Sequence, residues 1–189
     1  MTEQALAQNA LLMTATSEDA LEAAVREHAR LVYRIAFSVS RNHHDAEDAT
    51  QETFMRVLRY RRKLQGIEDP KTWIARIAWR VAVEQAKKKP AVSMSQWEAA
   101  DAVSQLRSEG TSAEDVAAGN EIAIVLQRLI AALPDSLRDV MRLATVEELG
   151  TIEIAGVLET SEASVRSRLF RARQILKDKL QALEVNHGK

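Results

Sequence analysis

The sequence has no cysteine, so it can form neither a disulfide nor a thiolate metal site, and it suits a reducing compartment. Glycine and proline are scarce, 6 and 3 residues in 189, which excludes a collagen-like or loop-dominated chain. No apolar run reaches the roughly 18 residues that a membrane span needs. The opening MTEQALAQNALLMTATSED lacks the basic stretch that begins a signal peptide. A cytoplasmic protein without membrane insertion is therefore expected. There is no glycine-rich phosphate loop and no nucleophile motif, so neither a cofactor nor enzyme activity is expected. His43 and His44 are adjacent rather than at the i, i+4 spacing of helical zinc ligands, and His28 and His187 are remote. No metal site is expected.

What remains is a chain of 46% hydrophobic residues whose apolar positions recur at helical spacing. The periodicity predicts helices over about 20–40, 44–64, 71–88, 113–132, 136–146, 152–158 and 162–184, and no strand. Gly66 and Pro70 bracket a loop, Pro90 closes the third helix, and Thr111 with Glu114 has the spacing of a capping box. Residues 90–111 have weak periodicity and many small or polar side chains, the composition of a linker. The fold class is all-α: two small helical domains, 20–89 and 112–185, joined by that flexible linker and preceded by an extension, 1–19.

A net charge of -1 conceals a segregation. Residues 1–19 carry no Lys or Arg and 3 Asp or Glu; residues 20–90 carry 15 and 9. Residues 91–119 carry 1 and 5, and residues 120–189 carry 10 and 10. Two blocks rich in basic residues flank an acidic connector, as in a modular nucleic-acid binder whose linker avoids phosphate.

The stretch SEASVRSRLFRARQILKDKL, 161–180, holds four arginines and two lysines against two acids. At 100° per residue, Val165, Leu169, Ala172, Leu176 and Leu180 fall within about 80° of one another, a stripe that faces a core. Ser167, Phe170, Arg171 and Gln174 fall opposite, with Arg166 and Lys177 beside them and Arg168 and Arg173 at the flanks. Guanidinium forks, a hydroxyl, an amide and an aromatic ring suit base edges plus phosphates. A solvated charged face fits the wheel alone as well. Upstream, TIEIAGVL is a short amphipathic helix and ETS a tight turn in which Ser161 can cap the next helix. Short helix, turn and longer basic helix read as helix-turn-helix.

At EIAGVL-ETS-EASVRSRLFRAR, preceded by LPDSLRDVMRLATVEEL, the sequence resembles region 4 of sigma-70 family transcription initiation factors of the extracytoplasmic-function group. DAEDATQETFMRVL resembles region 2.2, and DPKTWIARIAWRVAVEQAKKK regions 2.3 and 2.4. Two matches in order across a linker are more specific than one helix-turn-helix. The resemblance implies that the first domain grips the clamp of RNA polymerase and opens the -10 element, while the second reads the -35 element as duplex. It implies core RNA polymerase, promoter DNA and an anti-sigma factor as partners. This sequence has Arg80 where the family often has Asn, and Glu159 where the turn commonly has Gly; a left-handed residue there costs a non-glycine on the order of 1 kcal/mol.

The first domain can be read independently. On the 44–64 helix Asp48, Gln51, Glu52 and Met55 share one face, with Ala46, Thr53, Phe54 and Val57 on another. An acidic face in a basic block suits protein docking, and the resemblance places the polymerase contact at Asp48, Gln51 and Glu52. On the 71–88 helix the expectation is that Trp73, Ile74, Ile77, Ala78 and Val81 are buried, with Arg76, Trp79, Arg80 and Lys87 outward. An exposed indole among cations suits unpaired bases. By family position, the loop QGIED at 65–69 joins this strand-opening surface. For the -35 element the candidates are Arg166, Ser167, Phe170 and Arg171 on bases, with Arg168 and Arg173 nearer phosphates. A sigma-like protein scaffold and a free-standing helix-turn-helix regulator remain as alternatives.

Overall fold

The computed structural model describes the backbone of residues 3–61, 66–88, 124–146 and 148–187, with side chains from residue 22 to 183 within those spans. The expected linker at 90–111, the Thr111–Glu114 capping box and Gln65 lie outside the described residues. Seven helices and no strand occur among the described residues: α1 Glu3–Ser40, α2 His43–Arg59, α3 Pro70–Lys88, α4 over 124–131, α5 Asp135–Ala144, α6 Thr151–Val157 and α7 Glu162–His187. They form two compact units, Met1–Lys88 and Lys89–Lys189. The all-α expectation holds.

The first unit packs α1, α2 and α3 mutually. Leu31, Val32, Ile35, Ala36 and Val39 of α1 meet Ala46, Ala49, Thr53 and Val57 of α2 and Ile74, Ala75, Ala78, Val81 and Ala82 of α3 in the core. Small residues on all three helices let the backbones approach closely. α1 turns into α2 through Arg41, which adopts the left-handed region (φ 54°) while its N–H donates to the Phe37 carbonyl at 3.0 Å. Asn42 caps α2, its side-chain oxygen accepting from the Asp45 N–H at 3.0 Å. The rings of Tyr33, Phe37 and His43 cluster over this corner, with Tyr33 hydrogen-bonded to His43 Nδ1.

α1 begins at Glu3 rather than near residue 20, as expected from periodicity. The preceding residues have no glycine or proline and many Ala, Leu, Glu and Gln, so propensity extends the helix where amphipathic spacing is weak. α2 runs from His43 to Arg59 with Tyr60 as its C-cap, and residues 62–64 of the expected helix lie outside the described residues.

In the second unit Ile130 and Leu133 pack with Leu137, Ala172 and Leu176, bringing α4, α5 and α7 together. Val140, Leu143, Ile154, Ala155, Val157, Val165 and Leu169 are also buried. Pro134 stops α4 and starts α5, its carbonyl accepting from the Leu137 and Arg138 N–H groups at 2.9 Å. α6 ends on Glu159, whose φ of 52° is left-handed, and the Thr160 N–H returns to the Ala155 carbonyl at 3.0 Å. This is the Schellman closure that glycine usually makes, here on a glutamate. Ser161 then caps α7, its Oγ accepting from the Ser164 N–H at 3.2 Å, as the sequence predicts.

Candidate nucleic-acid interface

α7 turns a narrow apolar stripe inward. Val165, Leu169, Ala172 and Leu176 are buried, while Leu180, expected to continue the stripe, is only half-buried because the helix runs on toward His187 past its support. Arg166, Ser167, Phe170, Arg171, Arg173 and Gln174 are exposed and Arg168 is half-buried. Phe170 is 64% exposed, an unusual position for an aromatic ring without a ligand. Two of the outward side chains are held. Arg171 reaches back to Ser167, its Nη2 3.4 Å from Oγ. Arg166 Nη1 donates to Glu162 Oε1 at 2.8 Å. The same oxygen accepts the Thr151 hydroxyl at 2.8 Å, fastening the first residue of α7 to the first residue of α6.

α3 differs from the sequence reading. Trp79 is buried, 7% exposed, and cannot be the outward indole. Trp73 and Ile77, expected in the core, are half-buried. The buried arc, Thr72 through Ala75, Ala78, Trp79 and Val81 to Ala82, is turned by about one residue, near 100°, from the expected one. Apolar residues surround α3 nearly completely, so their spacing leaves the phase undetermined. The alanines Ala75, Ala78 and Ala82 select it by admitting α1 and α2 to close range. The outward arc then holds Trp73, Arg76, Arg80, Glu84, Lys87 and Lys88, with Arg80 and Lys87 exposed. Cations surround an indole here after all, but that indole is Trp73.

Asp69 anchors the start of α3, its Oδ1 accepting from the Thr72 N–H at 3.0 Å ahead of Pro70. Hydrogen bonding from Thr72 holds its carboxyl below the usual range. The loop residues Glu68 and Asp69, with Pro70 and Lys71, face Glu27 and the buried His28 of α1 across a cleft of about 360 Å³.

On α2, Ala46, Ala49, Thr53 and Val57 are buried, Phe54 is half-buried, and Asp48, Gln51 and Met55 are exposed, Met55 by 50%. His44 Nε2 lies 3.8 Å from Asp48 Oδ2. Glu52 is half-buried and committed: Arg56 Nε donates to its Oε1 at 2.7 Å, and Arg56 Nη2 reaches Glu84 Oε2 of α3 at 3.0 Å. Lys88 Nζ closes the chain on Glu84 Oε1 at 2.6 Å. Hydrogen bonds to Glu52 and then Glu84 push the Arg56 guanidinium pKa up, and those from Lys88 and then Arg56 push the Glu84 carboxyl down. The local pairs Glu52–Arg56, Glu84–Lys88 and Glu162–Arg166 are legible as i, i+4 spacings; the cross-helix Arg56–Glu84 contact is not.

Two sequence profiles match the chain in order: Sigma-70 region 2 over residues 24–90, and Sigma-70 region 4 over 123–176. A relative described as ECF RNA polymerase sigma factor SigE, from Mycolicibacterium smegmatis, is 33% identical over 82% of this chain and 60% of its own length. The factor SigW of Bacillus subtilis is 29% identical over 80% of this chain and 84% of its own. The chain belongs to the extracytoplasmic-function group of the sigma-70 family. The first of these curated relatives is the longer, and the chain spans less than two thirds of it. The fold of this sigma factor is shared with CnrH, solved in complex with the cytosolic domain of CnrY (TM-score 0.60, 22% identity, 90% of this chain and 96% of that one). It is shared too with RpoE of Bartonella quintana, solved with the anti-sigma factor NepR (TM-score 0.55, 18% identity, 83% and 94%). In this sigma factor the region 2 match takes in α2 and α3, and the region 4 match ends within α7, at Leu176. No helix among the described residues is long and apolar enough to cross a membrane.

Proposed function

We propose that the two units divide promoter recognition between them. The chain is an alternative sigma factor that binds core RNA polymerase and directs promoter-specific initiation. The domains run over 20–89 and 112–185, with 90–111 as the connector. In the second, Arg166, Ser167, Phe170 and Arg171 read the -35 duplex in the major groove while Arg168 and Arg173 hold phosphates. In the first, Arg76, Arg80 and Lys87, with Trp73 in the place expected of Trp79, take the opened -10 strand, and the cleft beside the loop at 66–69 can receive an unpaired base. Asp48, Gln51 and Met55, flanked by Glu52, dock on the polymerase clamp. An anti-sigma factor is the partner that would mask these surfaces, as NepR accompanies RpoE. The chain contributes no chemical step of its own, and it acts in the cytoplasm, where polymerase and promoter are.

The observation that carries this reading is the outward face of α7, where a 64%-exposed Phe170 stands among arginines opposite a buried stripe. A free-standing regulator would not need the acidic α2 face, and a pure scaffold would not need the arginines. Runoff transcription with purified core polymerase and a promoter library tests the reading. Arg171→Ala is expected to cost roughly 1–3 kcal/mol at one base position. Equal loss on every DNA would contradict base readout. Asp48→Ala combined with Gln51→Ala is expected to weaken holoenzyme assembly, measured by co-elution, and to spare binding of the -35 duplex; unchanged assembly removes that face from the docking role.

A further inference from the structure

Glu162 is an acid at the leading end of a helix whose first three turns carry Arg166, Arg168, Arg171 and Arg173. Near phosphate its charge lowers affinity, so its effect must be sought elsewhere. Its Oε1 accepts two hydrogen bonds at 2.8 Å, one from the Thr151 hydroxyl and one from Arg166 Nη1. Thr151 opens α6 and Glu162 opens α7, so the carboxylate is fixed relative to both helices of the helix-turn-helix. Its side chain is 35% exposed, whereas that of Arg166 is 62% exposed and has no other partner among the described residues. A long arginine on a helix surface samples many rotamers and is drawn to phosphate as readily as to a base. Reading guanine demands one orientation, with two guanidinium nitrogens aimed at O6 and N7.

We propose that Glu162 is a positioning residue for -35 readout: anchored by Thr151, it holds the Arg166 guanidinium off the phosphates and in the orientation that contacts a base edge. The Thr151–Glu162–Arg166 relay thus exchanges general DNA affinity for sequence discrimination. This rests on the reading of α7 as the -35 helix.

The test uses holoenzyme reconstituted from the full chain and core polymerase, with site selection from randomised duplexes followed by binding at several salt concentrations. Glu162→Gln keeps an acceptor for Thr151 but loses the charge. It should bind all duplexes several-fold more tightly, with the slope of log K against log salt steeper by about 1, and lose about tenfold discrimination at a single base pair. Thr151→Val changes no charge; it should leave the slope alone and weaken preference at that same base pair. In an Arg166→Ala background, Glu162→Gln should alter no base preference. If Glu162→Gln tightens every duplex equally with preferences intact, Glu162 is only a repulsive charge; the inference is overturned and the -35 reading stands. If Arg166→Ala leaves every preference intact, the inference is overturned while Ser167, Phe170 and Arg171 still carry the -35 reading; if the wild-type holoenzyme selects no site, the reading and the inference fall together. Unchanged thermal midpoints confirm that the variants are folded, and Thr151→Val provides the decision should Glu162→Gln lower its midpoint.

Discussion

α3 and α7 both carry cations toward DNA in the proposed reading, yet they are built in opposite ways. α3 is wedged against α1 and α2, and its buried residues, from Thr72 to Ala82, spread over about half its circumference. α7 lies against α5 and α6 along Val165, Leu169, Ala172 and Leu176, within about 60°. How far the packing partners reach around a helix, rather than their number, decides how much of it is left for a ligand. On α3 that remainder is a limited arc around Trp73, Arg76, Arg80 and Lys87. On α7 it is most of the outward surface. Substitutions that retune DNA contacts can therefore accumulate on α7 without unfolding the domain, whereas neighbouring positions on α3 are shared between core and ligand.

The sharpest way to break the comparison is to remove one aromatic from each helix. Trp79→Ala opens a cavity in the three-helix core and is expected to destabilise the first domain by about 3–5 kcal/mol. Phe170→Ala is expected to change stability by no more than about 0.5 kcal/mol, because the ring has little to leave, while promoter affinity falls several-fold. Denaturant unfolding of both variants decides it. A Trp79 variant that folds normally but melts promoters poorly would return that indole to the DNA face and void the placement of α3.

A smaller effect compares how the two helices begin. Asp69 caps α3 and Ser161 caps α7, each through a backbone N–H three residues on, so Asp69→Ala and Ser161→Ala should each cost about 1 kcal/mol. Only one cap titrates. The Asp69 carboxyl is held below its usual range, so its stabilisation is complete above the unfolded carboxyl value of about 3.9 and disappears as pH falls through the lower folded value. Unfolding followed from pH 6 downward should therefore show the Asp69→Ala deficit shrinking in acid and the Ser161→Ala deficit constant. Equal pH dependence in the two variants would show that Asp69 does not act through its charge.

α7 was legible in the sequence and α3 was not, for the same reason that their surfaces differ. On α7 the apolar residues at 165, 169, 172, 176 and 180 fall on one stripe among charges, with Phe170 and Ile175 the only large apolar residues off it before residue 180, so one phase stands out. On α3, Trp73, Ile74, Ile77, Trp79, Val81 and Val83 surround the helix, and the residues that settle its phase are alanines, which carry little weight in a hydrophobic pattern. The early start of α1 was hidden because propensity without amphipathicity leaves no periodic trace. On the face of α2, the exposure of Asp48, Gln51 and Met55 follows from helical spacing. The tie from Arg56 to Glu84 joins residues 28 apart and has no local signal. The Thr151–Glu162 bond likewise needs the turn between α6 and α7 to bring its ends together.

That turn and its counterpart in the first domain allow the finest comparison. Arg41 and Glu159 both sit at helix ends with φ near +50°, where a side chain crowds the carbonyl and glycine does not. Glycine relieves that crowding but also frees the unfolded chain, so Glu159→Gly and Arg41→Gly are each expected to gain only about 0.5–1 kcal/mol, a few degrees in thermal midpoint. Equal gains would mean that backbone strain dominates at both corners. A gain at Glu159 without one at Arg41 would mean that the Arg41 side chain stabilises its corner by a similar amount. At α6–α7 the Thr160-to-Ala155 bond and the Ser161 cap survive the substitution, so the angle between the two helices should persist. Promoter preference measured for Glu159→Gly should then match the wild type while stability rises; altered preference would show that the glutamate itself, and not the closure of the turn, sets how α7 enters the groove.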